Sequence, residues 1–270
     1  MDRGAALELD HVSRNFGGII AVDDVSFDVV PESITSLVGP NGAGKTTIFN
    51  LISGLLPMSS GAIRFHGRNV SGLAAHAIAR LGIGRTFQDP RIFYEMTVLE
   101  HVTFGFRLKG EAPLRALLRD PAMRAEWRDA DDRSLALLAE IGLRDKAHEM
   151  AQDLSFGEQR FLSIARTLAS DPQLVLLDEP TVGLDRDAIK ELSRIVTEMV
   201  HKRGKTVLIV EHNLDVVLSL SDQIHLLVDY IQSLRTDAEP KFFFIQIDSG
   251  GKIVLPPGNG VSGAVTASTQ

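Results

Sequence analysis

The stretch "GPNGAGKTT" constrains the fold of this chain more than any other. It comprises Gly39, Pro40, Asn41, Gly42, Ala43, Gly44, Lys45, Thr46 and Thr47. The spacing is that of a phosphate-binding loop, G-x-x-x-x-G-K-[ST]. Such a loop works only where a strand delivers it and a helix leaves it, so it points to an α/β architecture. Glycines let backbone N–H groups turn inward around an anion without Cβ clashes. Lys45 places a charge on the β/γ-phosphates, and the Thr46 hydroxyl is the expected magnesium ligand. The helix that starts there adds its N-terminal dipole. The local sequence supplies both neighbours: "SITSLV" is an apolar strand before the loop, and "KTTIFNLI" carries helical apolar spacing after it.

Bulk properties narrow the setting. The chain has 270 residues, 44% hydrophobic and 23% charged, which is ordinary globular composition. The net charge is −7, so no nucleic-acid partner is expected. There is no cysteine, which excludes disulfides, thiolate zinc sites and cysteine nucleophiles. The start "MDRGAALELDHV" lacks the apolar region of a signal peptide. No apolar run approaches the roughly 18 residues of a spanning helix. Any membrane role is therefore expected to come through a partner.

Along the chain, "ALELDHV", "VSFDVV" and "SITSLVG" read as strands separated by turn signals. A helix is expected from about Lys45 to Gly54, then strands at "GAIRFHG" and "GIGR". From Val98 to about Leu143 the chain is helical, heavily charged and interrupted by Pro113 and Pro121. In it "DDRSLALLAEIGL" has helical spacing behind an Asp cap. "QLVLLDEP" is a continuous apolar run suited to a strand buried on both faces. A helix at about 187–201, the strand "TVLIVEH", the helix "NLDVVLSLS" and the strand "QIHLLV" follow. This alternation implies a parallel sheet with helices on both faces. The expected organisation is a core with a β subdomain (1–97 and 172–228), an inserted helical subdomain (98–171) and an atypical tail (229–270). Order is expected to weaken after Asp229, where an apolar patch, "FFFIQI", precedes a frayed Gly/Ser/Thr-rich end.

Other residues stand at chemically useful places. Asp178 and Glu179 end the buried strand, and strand C-termini are where open parallel sheets bind ligands. Asp178 suits magnesium and Glu179 suits polarising a water; both also read as solvated carboxylates in a turn before Pro180. His212 ends another strand, as a surface histidine or as a γ-phosphate contact. Gln88 follows a short strand and is weak evidence for a metal or water ligand. Phe16 in a turn either stacks on a base or packs. "LSFGEQR" opens a helix with a hydroxyl, a glycine, an acid, an amide and an arginine, yet offers no metal cage and no nucleophile–base pair.

Together these motifs make the chain resemble the ATP-binding subunits of ABC transporters, from about Leu7 to Val228. The order is "NFGG", "GPNGAGKTT", "RTFQ", "LSFGEQ", "LVLLDEP", "GLD" and "VEH". The resemblance implies a RecA-like P-loop core with N-terminal antiparallel strands and an inserted helical subdomain. It implies ATP and Mg2+ as cofactors, with Phe16 on adenine, Glu179 as general base and His212 as γ-phosphate sensor. Gln88 would link magnesium to the membrane-subunit interface. Asp185 would lie at a dimer interface, and Ser155, Gly157 and Gln159 would contact the nucleotide of the opposite subunit. "IGRTFQDPRIFYEMTVLEHV" with the charged insert at roughly 107–132 is similar to the LivG-type ATPases of branched-chain amino acid uptake; related urea and amide importers share that layout. The expected partners are a second ATPase subunit and transmembrane permease subunits, with the chain peripheral on the cytoplasmic face of the inner membrane. Two other readings stand beside this one: a soluble ATPase acting on ribosomes or DNA, and a nucleotide-binding regulatory chain.

Overall fold

The computed structural model describes residues 4–107, 121–228, 243–248 and 253–254. In chain order the elements begin with β1 (Leu7–Phe16), β2 (Ile19–Val29), β3 (Ile34–Val38), α1 (Lys45–Ile52), β4 (Ser60–Phe65) and β5 (Arg68–Asn69). Then come α2 (Ala75–Leu81), β6 (Ile83–Arg85), α3 (Val98–Arg107), α4 (Pro121–Glu140) and α5 (Phe156–Ala169). The series ends with β7 (Leu174–Asp178), α6 (Arg186–His201), β8 (Thr206–Val210), α7 (Leu214–Leu220), β9 (Gln223–Val228), β10 (Phe243–Asp248) and β11 (Ile253–Val254). The chain forms two compact units, 1–73 with 208–270, and 74–207.

In the first unit an antiparallel sheet has the order β2-β1-β4-β5. Its alternation follows the pleat: Leu7 and Leu9 of β1 are buried between more exposed Glu8 and Asp10. The phase then shifts, because Val12 rather than His11 is buried. His11 adopts φ 50, and the register with β2 jumps between Leu9 and Val12. One extra residue on β1 thus bends the strand and turns Val12 to the buried face. Beside this sheet β3 pairs in parallel with β9 from Thr35↔Gln223 to Val38↔Leu226. All five β3 residues are buried, as expected of a strand covered on both faces.

The second unit centres on parallel β6 and β7, paired from Ile83↔Leu174 to Arg85↔Leu176. All of "LVLLD" in β7 is buried. Helix α5 buries Phe161, Leu162, Ile164, Ala165, Leu168 and Ala169, a broad apolar face that packs on α3 and α4. The α/β class and the parallel pairing expected from sequence are present.

Three local expectations change. No Asp cap precedes "DDRSLALLAE": α4 starts at Pro121 and runs through Asp131 and Asp132 without a break. Proline is favoured in the first helical turn, where its missing N–H has no intrahelical partner to lose. Helix α2 has no counterpart in the sequence reading, because it lacks a side-chain cap and buries only Ile78. The apolar patch "FFFIQI", expected only as part of an atypical tail of weakening order, supplies a strand to the sheet. Residues 243–248 pair antiparallel with the whole of β9, from Phe243↔Val228 to Asp248↔Gln223, and β11 pairs on β10. An apolar alternating segment at an open sheet edge satisfies its backbone there. Pro113, in the charged insert, and the Gly/Ser/Thr-rich end fall outside the described residues.

His225 of β9 shows what burial in the first unit does. It is 6% exposed, its Nε2–H donates to the Asp28 carbonyl at 3.2 Å, and its ring lies 4.9 Å from that of Phe27. Burial, partly opposed by that hydrogen bond, lowers its pKa to about 4. The folded chain therefore prefers the neutral ring, and its contribution is fully present above pH 6.5 and is lost as pH falls toward 4. Between pH 7 and pH 5 this group should remove on the order of 2 kcal/mol of stability. Urea unfolding at the two pH values, compared with His225→Phe, should show a shallower pH slope in the variant.

Candidate functional site

In the first unit the phosphate loop runs from the end of β3 into α1. The helix is anchored by Ile48, Phe49, Leu51 and Ile52, all buried. Its N-cap is Gly44, with no side-chain cap and no acidic residue in the first turn. The N-terminal N–H groups and the positive end of the dipole are thus left to an incoming anion. Gly42 and Gly44 both sit at φ 88, and a Cβ on Gly44 would meet the Ala21 carbonyl oxygen at 2.4 Å. Only glycine fits there. Pro40 and Asn41 are exposed while Ala43 is buried. Lys45 is 5% exposed, and its ammonium donates to the carbonyls of Gly39 and Pro40, each at 2.7 Å. The loop curls around the head of its own lysine. Thr46 is exposed and Thr47 half-buried.

Two further candidates belong to this unit. Phe16 closes β1, 42% exposed, with the Arg14 guanidinium 4.4 Å over its ring. That stacked cation stiffens an aromatic face which remains open to solvent. His212 is exposed just after β8, and its backbone N–H donates to the Glu211 carboxylate at 3.1 Å. Asn213 caps α7 through Asp215 N and Val216 N, which sets where the chain turns after the histidine.

The second unit carries the acids. Asp178, 4% exposed, is held at Oδ2 by Arg85 Nη2 at 2.8 Å. Glu179 follows at φ 47, a left-handed conformation unusual for a non-glycine residue. Its Oε2 accepts from Gln88 Nε2 at 2.8 Å. The sequence-predicted Gln88 and Glu179 are therefore brought together, and with its amide nitrogen engaged Gln88 has its carbonyl oxygen as the atom a cation would take. Among the described residues no three His, Asp or Glu side chains gather as a metal cage. The Asp178 carboxylate and the Gln88 carbonyl are hard oxygen donors, of the kind magnesium takes one or two of together with waters and phosphates.

The segment "LSFGEQ", the signature segment that opens α5, is built around a cap. Ser155 is the N-cap of α5 in a capping box: its Oγ accepts from Glu158 N at 3.4 Å, and its own N–H donates to Glu158 Oε2 at 2.9 Å. The Ser155 hydroxyl proton also goes to Glu158 Oε2, at 2.8 Å. Burial works to raise the pKa of Glu158, but the Lys146 ammonium at 2.8 Å and the Ser155 donors outweigh it and leave it lowered. Gln159 Nε2 donates to the Leu154 carbonyl at 3.1 Å, and Gly157 packs beside Leu184. Asp185 caps α6 through Asp187 N and Ala188 N.

Sequence reading assigns no role to two residues that organise this unit. Arg85 was visible only as part of "RTFQ". Arg166, on α5, donates to the carbonyls of Arg91 and Pro90 at 2.9 and 3.0 Å and so ties the segment after Gln88 to the signature helix. An arginine within the apolar-periodic run "FLSIARTLAS", half-buried in the structure, was the available signal.

Comparison with known proteins agrees with this picture. The profile of the ABC transporter family matches residues 22–182. The high-affinity branched-chain amino acid transport ATP-binding protein LivG of Escherichia coli (strain K12) is 38% identical over 220 residues, 81% of this chain and 86% of that protein. BraF of Pseudomonas aeruginosa, described in the same words, is 37% identical over 219 residues, again 81% of this chain and 86% of that protein. Among solved structures, the ADP conformation of an ATP-binding cassette of an ABC transporter superposes with a TM-score of 0.71 at 30% identity, covering 82% of this chain and 87% of that one. A dimeric bacterial ABC transporter cassette gives 0.71 at 25% identity, covering 82% and 94%.

The loop geometry makes a direct prediction. Gly44→Ala forces a strained φ and a backbone collision, which should cost about 1–3 kcal/mol. Titration with a fluorescent ATP analogue should show affinity weakened about tenfold or more, with the circular dichroism spectrum retained.

Proposed function

This chain belongs to the ABC transporter family as one of its ATPases, and we infer that it powers an importer of branched-chain amino acids or a related small amide or amino acid. The observation that carries the substrate class is the similarity to LivG and BraF over 81% of the chain. Both relatives are transport proteins, which leaves the ribosome- or DNA-acting and regulatory readings without support.

In the proposed mechanism two cassettes close on two nucleotides. Phe16 stacks on adenine, and the loop from Gly39 to Thr47 takes the phosphates. Ser155, Gly157 and Gln159 serve the nucleotide of the facing subunit, with Asp185 at the interface. Phosphoryl transfer depends on positioning and charge neutralisation rather than on covalent help. Thr46, Asp178 and Gln88 would hold magnesium, which would supply neutralisation of the phosphate oxygens. Glu179 accepts the proton of the attacking water, and His212 senses the γ-phosphate. The Gln88–Glu179 hydrogen bond supports this reading, because it gives the base a partner that can report metal and partner state. Glu158 and Lys146 hold the signature segment rigid, so that a facing phosphate meets an ordered helix terminus.

The division into a core with β subdomain, a helical subdomain at 98–171 and the appended C-terminal strands belongs to the same proposal. So does placement on the cytoplasmic face of the membrane through permease subunits. Among the described residues no helix is long and apolar enough to cross a membrane. Phe93 and Tyr94, 51% and 57% exposed a few residues after Gln88, offer an apolar surface for such a partner.

Glu179→Gln should bind ATP normally, accumulate as a closed dimer and lose about 10²–10⁴-fold in turnover. Phosphate release and size-exclusion chromatography measure the two effects, and near-normal turnover would remove Glu179 from the base role. Ser155→Arg should leave ATP binding to the single chain intact and abolish ATP-dependent dimerisation. Persistence of that dimer would show that "LSFGEQ" does not face a second nucleotide.

A further inference from the structure

We propose that Arg85 is a positioning residue for the magnesium-binding carboxylate, acting through Asp178 on metal-dependent nucleotide binding. The inference rests on the proposed role of Asp178. Arg85 is the last residue of β6 and lies opposite Leu176 of β7. Just beyond it, Thr86 donates to the Leu176 carbonyl from its backbone N–H at 2.9 Å. This strand pairing fixes where the arginine starts. From there the guanidinium reaches the end of β7 and binds Asp178 Oδ2 at 2.8 Å. The Phe87 ring lies 5.1 Å from its centre.

Both partners are removed from water: the side chains are 7% and 5% exposed. A buried ion pair is a poor device for stability, because desolvating two charges consumes most of what their attraction returns. Packed apolar residues would serve β6 and β7 at least as well. The pair makes better sense as a holder. A carboxylate at a strand end can rotate about its Cβ–Cγ bond. With Oδ2 held by a charge-assisted hydrogen bond, that rotation is stopped and Oδ1 acquires a fixed direction. Partners of this kind, one step behind a metal ligand, set how well the ligand binds.

The role separates cleanly from simple structural support. The full chain is titrated with a fluorescent ATP analogue, first in EDTA and then over a series of Mg2+ concentrations. The wild-type chain should bind more tightly as Mg2+ rises. In Arg85→Gln the EDTA affinity should stay as in the wild type, while the Mg2+ concentration for half-maximal tightening should rise about tenfold or more. In an Asp178→Asn background, adding Arg85→Gln should change nothing further. Equal weakening with and without Mg2+, an unchanged Mg2+ requirement, or additive effects in the double variant would each overturn the proposal. Should Arg85→Gln lose its native circular dichroism, Arg85→Lys is read instead. It keeps the charge but loses the planar fork, so a raised Mg2+ requirement is again expected and an unchanged one overturns the role. Binding is measured rather than turnover. A wild-type chain that binds Mg·ATP but never hydrolyses it would therefore sink the proposed function while leaving this outcome legible.

Discussion

The constraint on which the rest depends is the need to hold a polyphosphate with backbone rather than with a cage of cations. One lysine cannot balance a triphosphate, and its ammonium is itself held by two loop carbonyls. The remaining attraction must come from converging N–H groups and a helix dipole. Those act only if the loop keeps glycine at φ 88 and the helix behind it stays put. Hence α1 has four buried apolar side chains behind an N-terminus with no cap of its own. The missing cap is offset by packing and leaves the anion as the natural partner.

A second theme is economy at helix starts. Ser155, Asp185 and Asn213 each close the N-terminus of a helix within or just after a motif. The cap decides where the helix begins and so where the neighbouring functional residue points. For Ser155 the same hydroxyl is also proposed to meet a phosphate. Its proton is shared with Glu158, so a ligand there must compete with, or add to, the capping box. For Asp185 the cap by itself explains an aspartate at that place, and its interface role needs the second subunit to be tested.

The parts of the fold that were legible share one property: the information lies within a few neighbouring residues. The phosphate loop, the buried strand "LVLLD" and the capped helix after "GLD" all follow from local spacing and burial. Helix α2 escaped because it carries neither a cap nor a full apolar stripe. The start of α4 was misplaced because an aspartate pair imitates a cap in the middle of a helix, while a proline 10 residues earlier marks the true start. The "FFFIQI" segment read as tail because its partner, β9, is separated from it by the intervening 229–242 stretch. Strand pairing at such a distance leaves no local trace.

The sequence by itself determined the family, the chemistry and the residue types that carry it, because phosphate binding demands particular residues at particular spacings along one loop. Tertiary structure alone decided which side chains hold the site residues in place. Arg85 lies 93 positions from Asp178, and Gln88 lies 91 from Glu179. An arginine in "RTFQ" has no address in sequence. It acquires one only when β6 pairs with β7 and the two side chains, both shut off from water, have each other to meet.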